Sequence, residues 1–210
     1  NQIRGINQSV DNAEDGISLI QTAEGNLNEM HSILQRMGEL ATKAANDVNE
    51  TEDRTTISDE IGQLNTELNS IATKAKYNGK SLSSFSGYLQ VGANSGDNMH
   101  ISVAVTVTVA TTTVDTHANA STTITSVTNA IKSVSSQRSK LGAVQNRLEY
   151  TVNSLQNYSE NLTTSESRIR DTDMASEMVS YSKNNILQQA AQSMLTQANQ
   201  SNQGVLSLLQ

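Results

Sequence analysis

Apolar residues recur along the first part of the chain with helical spacing. Ile3, Ile6, Val10, Ala13, Ile17 and Ile20 are separated by alternating steps of three and four. The row resumes at Ala23, Leu27, Met30, Leu34, Met37, Ala41 and Ala44. This spacing predicts one long helix over residues 2–47, with a heptad seam and a single three-residue slip near Ala23. Ile33 and Leu40 widen the stripe, as in a helix packed on more than one neighbour. At ~1.5 Å per residue such a helix spans roughly 70 Å, a length typical of fibrous assemblies.

The polar run Asn46-Asp47-Val48-Asn49-Glu50 breaks the pattern. A second helix is expected from Glu52 to Lys76 on the stripe Ile57, Ile61, Leu64, Leu68, Ile71 and Ala75. Tyr77-Asn78-Gly79 should end it, since Asn-Gly readily takes positive φ. The character then changes: Ser and Thr fill 18 of the 49 positions in 80–128, too polar a stretch for another heptad seam. Tyr88–Val91 reads as a short strand and Gly92–Asn98 as a turn. Ile101, Val103, Val105, Val107 and Val109 alternate as in a half-buried strand, which predicts a β-hairpin. Thr111 to Ser126 reads as a loop. A third helix is expected over 122–165, on Val127, Ile131, Val134, Leu141, Val144, Leu148, Leu155 and Leu162. Asp171-Thr172-Asp173 reads as a link or a capping turn. A last helix, from Met174 to Gln200, carries the stripe Met174, Met178, Tyr181, Leu187, Ala191, Met194 and Ala198. The fold class is therefore mainly α: a long antiparallel helical bundle or coiled-coil rod with a small β-hairpin insertion. The first and third helices pair, with the second alongside. The last has no partner of matching length, so its apolar face must find one in another chain or beyond this sequence.

Composition narrows the function. Aromatic residues are 3%, with Phe85 the single Phe and no Trp, so the seams rest on Ile, Leu, Val, Ala and Met. Pro is absent, which permits unbroken helices. The net charge of −7, without a basic cluster, argues against nucleic acid and anionic membranes. No Cys is present, which excludes disulfides, thiolate metal sites and Cys nucleophiles. No run of about 18 apolar residues is available for membrane insertion. His31, His100 and His117 are scattered and form no zinc signature. Acidic pairs such as Glu14-Asp15 and Asp59-Glu60 lack a convergent His and read as solvated helix faces. No catalytic residue, metal or cofactor is expected, and the chain reads as an assembly protein rather than an enzyme.

Both ends of the chain resemble bacterial flagellin, the subunit of the flagellar filament. At the N-terminal end the resemblance is carried by Asp15-Gly16-Ile17-Ser18-Leu19-Ile20-Gln21-Thr22-Ala23-Glu24-Gly25, by Leu34-Gln35-Arg36 and by Tyr77-Asn78-Gly79-Lys80. Further on it is carried by Ser135-Ser136-Gln137-Arg138, by Leu141-Gly142-Ala143-Val144-Gln145-Asn146-Arg147-Leu148 and by Ser167-Arg168-Ile169-Arg170-Asp171-Thr172-Asp173-Met174. Gln203-Gly204-Val205-Leu206 closes the series. The resemblance implies rod helices in 1–79 and 122–170, a variable outer segment in 80–121, and an inner-tube helix in 171–210. The N-terminal partner of that helix is expected upstream of Asn1, so the 210 residues alone are expected to be assembly-defective.

The resemblance also implies partners: other flagellin subunits, an export chaperone of the type III apparatus, filament cap and hook-junction proteins, and host Toll-like receptor 5. Receptor recognition would fall on Arg36, Leu40 and Glu60, which otherwise read as two solvated charges and a packing Leu. Chaperone capture, followed by filament packing, would use Ile186, Leu187, Met194, Leu195, Leu206 and Leu209. Two departures stand out. Arg36-Met37-Gly38-Glu39-Leu40 replaces the Arg-Val-Arg-Glu-Leu of many members, and Ser201-Asn202-Gln203-Gly204 lacks a common Pro. Gly38 is expected to weaken the helix and remove a charge from the receptor face. The competing reading is a secreted hook-junction or other non-polymerising helical protein of the same export system.

Overall fold

The protein is described by a computed structural model over residues 1–109 and 113–208, with side chains described as far as residue 200. Its elements run α1 (Gln2–Ala44), α2 (Thr51–Lys74), β1 (Lys76–Tyr77), β2 (Lys80–Ser81), β3 (Phe85–Gln90), β4 (Asn98–Val103), α3 (His117–Arg170) and α4 (Met174–Leu208). Two compact units divide the chain, Asn1–Asn161 and Leu162–Gln210.

In the first unit α1 is the spine. Its buried row is Ile6, Ser9, Ala13, Gly16, Ile20, Ala23, Leu27, Met30, Leu34, Met37, Ala41 and Ala44. The steps alternate three and four without interruption, so the slip expected near Ala23 does not exist. Ser9 and Gly16 hold the seam where hydropathy favours Val10 and Ile17, which are only half-buried. Close approach explains the substitution. A Cβ on Gly16 would stand 2.5 Å from Leu89 and 3.4 Å from Leu148, and one on Gly5 would stand 3.0 Å from Ala93. Small residues thus let the β3–β4 hairpin and α3 sit against α1. Ser9 is buried at no polar cost, because its hydroxyl donates to the Gly5 carbonyl at 2.7 Å.

Ile57, Ile61, Leu68 and Ala72 of α2 join the same core, as do Ala120, Thr123, Val127, Ala130, Val134, Leu141 and Leu148 of α3. Helix α3 begins at His117, inside the segment expected to be a loop. Its heptad runs back through Val127, Thr123 and Ala120, and burial outweighs the modest helix propensity of the Thr residues. The Thr123 hydroxyl donates to the Thr113 carbonyl at 3.0 Å. Nearby, His117 Nδ1 donates to the Ala45 carbonyl at 2.8 Å. Arg54 donates to Asp47 at 3.0 Å and to the Asn46 carbonyl at 3.2 Å, so the α1–α2 turn is pinned from both sides.

The β region is larger than the spacing predicted. Tyr77-Asn78-Gly79 does not end α2, which stops at Lys74; Asn78 (φ 46) and Gly79 (φ 78) form the turn of a β1–β2 hairpin instead. Strands β3 and β4 pair antiparallel from Phe85↔Val103 to Gln90↔Asn98. Met99, Ile101 and Val103 face the core. Beyond Val103 the alternation persists in burial, with Val105, Val107 and Val109 inside, although strand pairing has ended. Part of the expected 111–126 loop, residues 111 and 112, lies outside the described residues.

In the second unit Asp173 caps α4: its carboxylate accepts from the Ala175 amide at 2.9 Å. Apart from residues 171–173, its described residues belong to the end of α3 and to α4, and their described side chains remain largely exposed.

Candidate assembly and recognition surfaces

Each unit carries one candidate surface. The first lies along the α1–α2 pair. Arg36 projects from α1 one turn before Leu40, while Glu60 flanks the inward Ile57 and Ile61 of α2. The arginine sends two donors to one carboxylate oxygen: Nε at 3.1 Å and Nη2 at 2.9 Å from Glu60 Oε1. A third donor, Nη1, reaches Glu39 at 3.5 Å. The hydrogen bond to Glu60, and then the charge of Glu60, raise the Arg36 pKa further, so this guanidinium is charged at any working pH. Arg36 and Glu60 are each about half exposed. A shallow groove beside them is rimmed by Lys43, Asn49, Asp53 and Thr56.

Leu40 differs from its neighbours. It is only 5% exposed and belongs to the core, so it forms the floor of the groove rather than a projecting knob. Gly38 faces α3, where a Cβ would meet Val127 at 3.6 Å. A side chain at position 38 would therefore start towards α3 rather than towards the Arg36–Glu60 pair. Glu39 completes the cluster, and its i, i+3 spacing from Arg36 is the sequence signal that marks it as a partner.

The second surface is α4. Ile186, Leu187, Met194 and Leu195 are between 55% and 72% exposed, and Met174, Met178, Val179 and Tyr181 are similarly open. The single stripe read from the sequence divides in two. Met178 and Leu187 are nine residues apart (187 − 178), or about two and a half turns, so they face opposite ways. Advancing about 100° per residue, the exposed apolar side chains emerge on every side of the helix. Apolar side chains that emerge on every side of a helix can all be buried only when neighbours surround it. The Leu206 and Leu209 side chains lie outside the described residues.

No cluster of metal-ligating side chains occurs among the described residues, and none of the described helices is long and apolar enough to cross a membrane. What the molecule offers is packing surface. Comparison with known proteins agrees. Residues 1–89 match the bacterial flagellin N-terminal helical region, and residues 124–209 match the bacterial flagellin C-terminal helical region. A flagellin of Halalkalibacterium halodurans is 47% identical, with the match covering 99% of this chain and 80% of that protein.

The chain belongs to the flagellin family.

The Bacillus subtilis flagellin is 43% identical over 99% of this chain and 82% of its own length. The crystal structure of Bacillus cereus flagellin has a TM-score of 0.64 at 28% identity, covering 82% of this chain and 94% of that one. The chain is accordingly a structural subunit of the extracellular flagellar filament, self-associating through its helices, and not an enzyme. The hook-junction alternative is not favoured by these relatives.

Proposed function

We propose that the two surfaces divide the work of the filament subunit. Residues 1–79 and 122–170 act as the rod, 80–121 as the outward segment, and 171–210 as the inner-tube helix. In the filament, α4 is enclosed by helices of neighbouring subunits. Before export, a dedicated chaperone wraps the same side chains, with Ile186, Leu187, Met194 and Leu195 at the centre and Leu206 and Leu209 towards the tip. Filament cap and hook-junction proteins meet the same rod and tube helices at the filament ends. The observation that carries this reading is the exposure of apolar side chains on all sides of α4. Left uncovered, such a surface drives aggregation. Burial between subunits would contribute ~25 cal/mol per Å² of apolar area.

Truncation after Asp173 tests it directly. Seeded filament elongation and chaperone binding should both be lost. Full chaperone binding by the truncated chain would remove the chaperone assignment, and normal elongation would remove the packing assignment.

The α1–α2 groove supports a second role, recognition by Toll-like receptor 5. Arg36 and Glu60 present an oriented, half-exposed pair of opposite charge over the apolar floor of Leu40. Arginine is suited to such a site because its planar fork can donate to a receptor while still meeting Glu60. The double variant Arg36→Ala/Glu60→Ala should lose receptor activation in reporter cells while retaining its helical circular dichroism. Undiminished activation would show that the receptor reads another face.

A further inference from the structure

The six methionines of the chain fall into two groups. Met30 and Met37 lie in the α1 seam and Met99 under the hairpin, all buried. Met174, Met178 and Met194 all sit on α4, each more than half exposed. The chain contains no Cys and no Trp, so no thiol competes for an oxidant. Thioether oxidation follows access, and it turns a flexible apolar side chain into a polar one.

We propose that Met174, Met178 and Met194 form an oxidation-sensitive modification site, open on the unassembled subunit, that governs incorporation into the filament. The oxidant class is peroxide. The thioether sulfur donates an electron pair to one peroxide oxygen, the O–O bond breaks and an S–O bond forms. Proton transfer then releases water. Sulfur is oxidised by two electrons and hydrogen peroxide is reduced, giving one sulfoxide and one water. The new S–O group accepts hydrogen bonds and donates none. Placed in a helix that must be surrounded by apolar neighbours, it is a polar group without a partner, which opposes burial. The α1 methionines are out of reach without unfolding. A subunit can thus stay folded in its first unit while losing the surface that assembly needs. This inference rests on the proposed enclosure of α4, which shields the same three sulfurs once the subunit is incorporated.

The test uses full-length subunits released from purified filaments and treated with limiting hydrogen peroxide. Peptide mass mapping should find an added oxygen at Met174, Met178 and Met194 well before Met30, Met37 or Met99. The treated subunits should lose seeded elongation, and methionine sulfoxide reductase should restore it. The variant Met174→Leu/Met178→Leu/Met194→Leu, close in volume, should elongate equally well with and without peroxide. If that variant does not assemble, reductase rescue of the natural sequence decides the matter. Intact filaments should resist oxidation at all three positions. Rapid oxidation there would overturn the enclosure of α4, and the gate with it. Protected filaments combined with full elongation by oxidised subunits would overturn the gate alone.

Discussion

Helices α1 and α4 are drawn from the same stock of residues, yet they meet water differently. In α1 the apolar and small side chains fall in one row from Ile6 to Ala44, and α2, β3 and α3 cover it. In α4 they fall on all sides, and none of the described side chains is buried. Apolar content does not separate the two, because α4 is no less apolar than α1. Arrangement does. A single row can be satisfied by two or three elements of its own chain, whereas apolar side chains spread around a helix need neighbours on every side. The chain carries one helix covered by its own fold and one whose described apolar side chains stay exposed.

That contrast makes opposite predictions for similar substitutions. Leu27→Ala, at a fully buried position of α1, should lower the unfolding free energy by about 2–5 kcal/mol in a denaturant titration. Leu187→Ala on α4 should change the same titration by less than about 0.5 kcal/mol, yet slow seeded elongation. Equal losses in the two titrations would break the comparison, because α4 would then be held within the subunit.

A smaller effect sharpens the description of the seam. Gly38→Ala should raise stability by about 0.5–1 kcal/mol, through helix propensity. The added Cβ meets Val127 at an ordinary 3.6 Å. A loss would mean that α3 sits tighter on α1 than this spacing implies. The smallest effect is expected for Arg36→Ala. Its ion pair is half exposed, so the thermal midpoint should barely move, and receptor activation should report its removal instead.

Much of this was legible in the spacing of residues. The helices, the seam of α1 from Ala23 onwards, the Asp173 cap and the β-hairpin all follow from local pattern. The remaining features depend on more than spacing within one segment. Val10 and Ile17 are more apolar than Ser9 and Gly16, yet the hairpin and α3 come too close to α1 for larger side chains at those two positions. Asn78-Gly79 was visible as a positive-φ turn, but strands of two residues carry no periodicity to mark the hairpin it closes. The stretch from Thr111 to Ser126 resembles a loop by propensity, while Ala120, Thr123 and Val127 carry the seam of α3 back to a start at His117. The valines from Val103 to Val109 alternate correctly, although pairing stops at the first of them.

The sequence by itself determined which segments are helical, which faces are apolar and to which family the chain belongs. Those properties are carried by spacing along one segment, and spacing is local. Only the tertiary structure decided that small residues complete the α1 seam and that Leu40 lies beneath the surface. It alone brought Arg36 and Glu60, 24 positions apart, to 2.9 Å. Such outcomes depend on how closely separate elements approach one another, and no periodicity within a single helix encodes that distance.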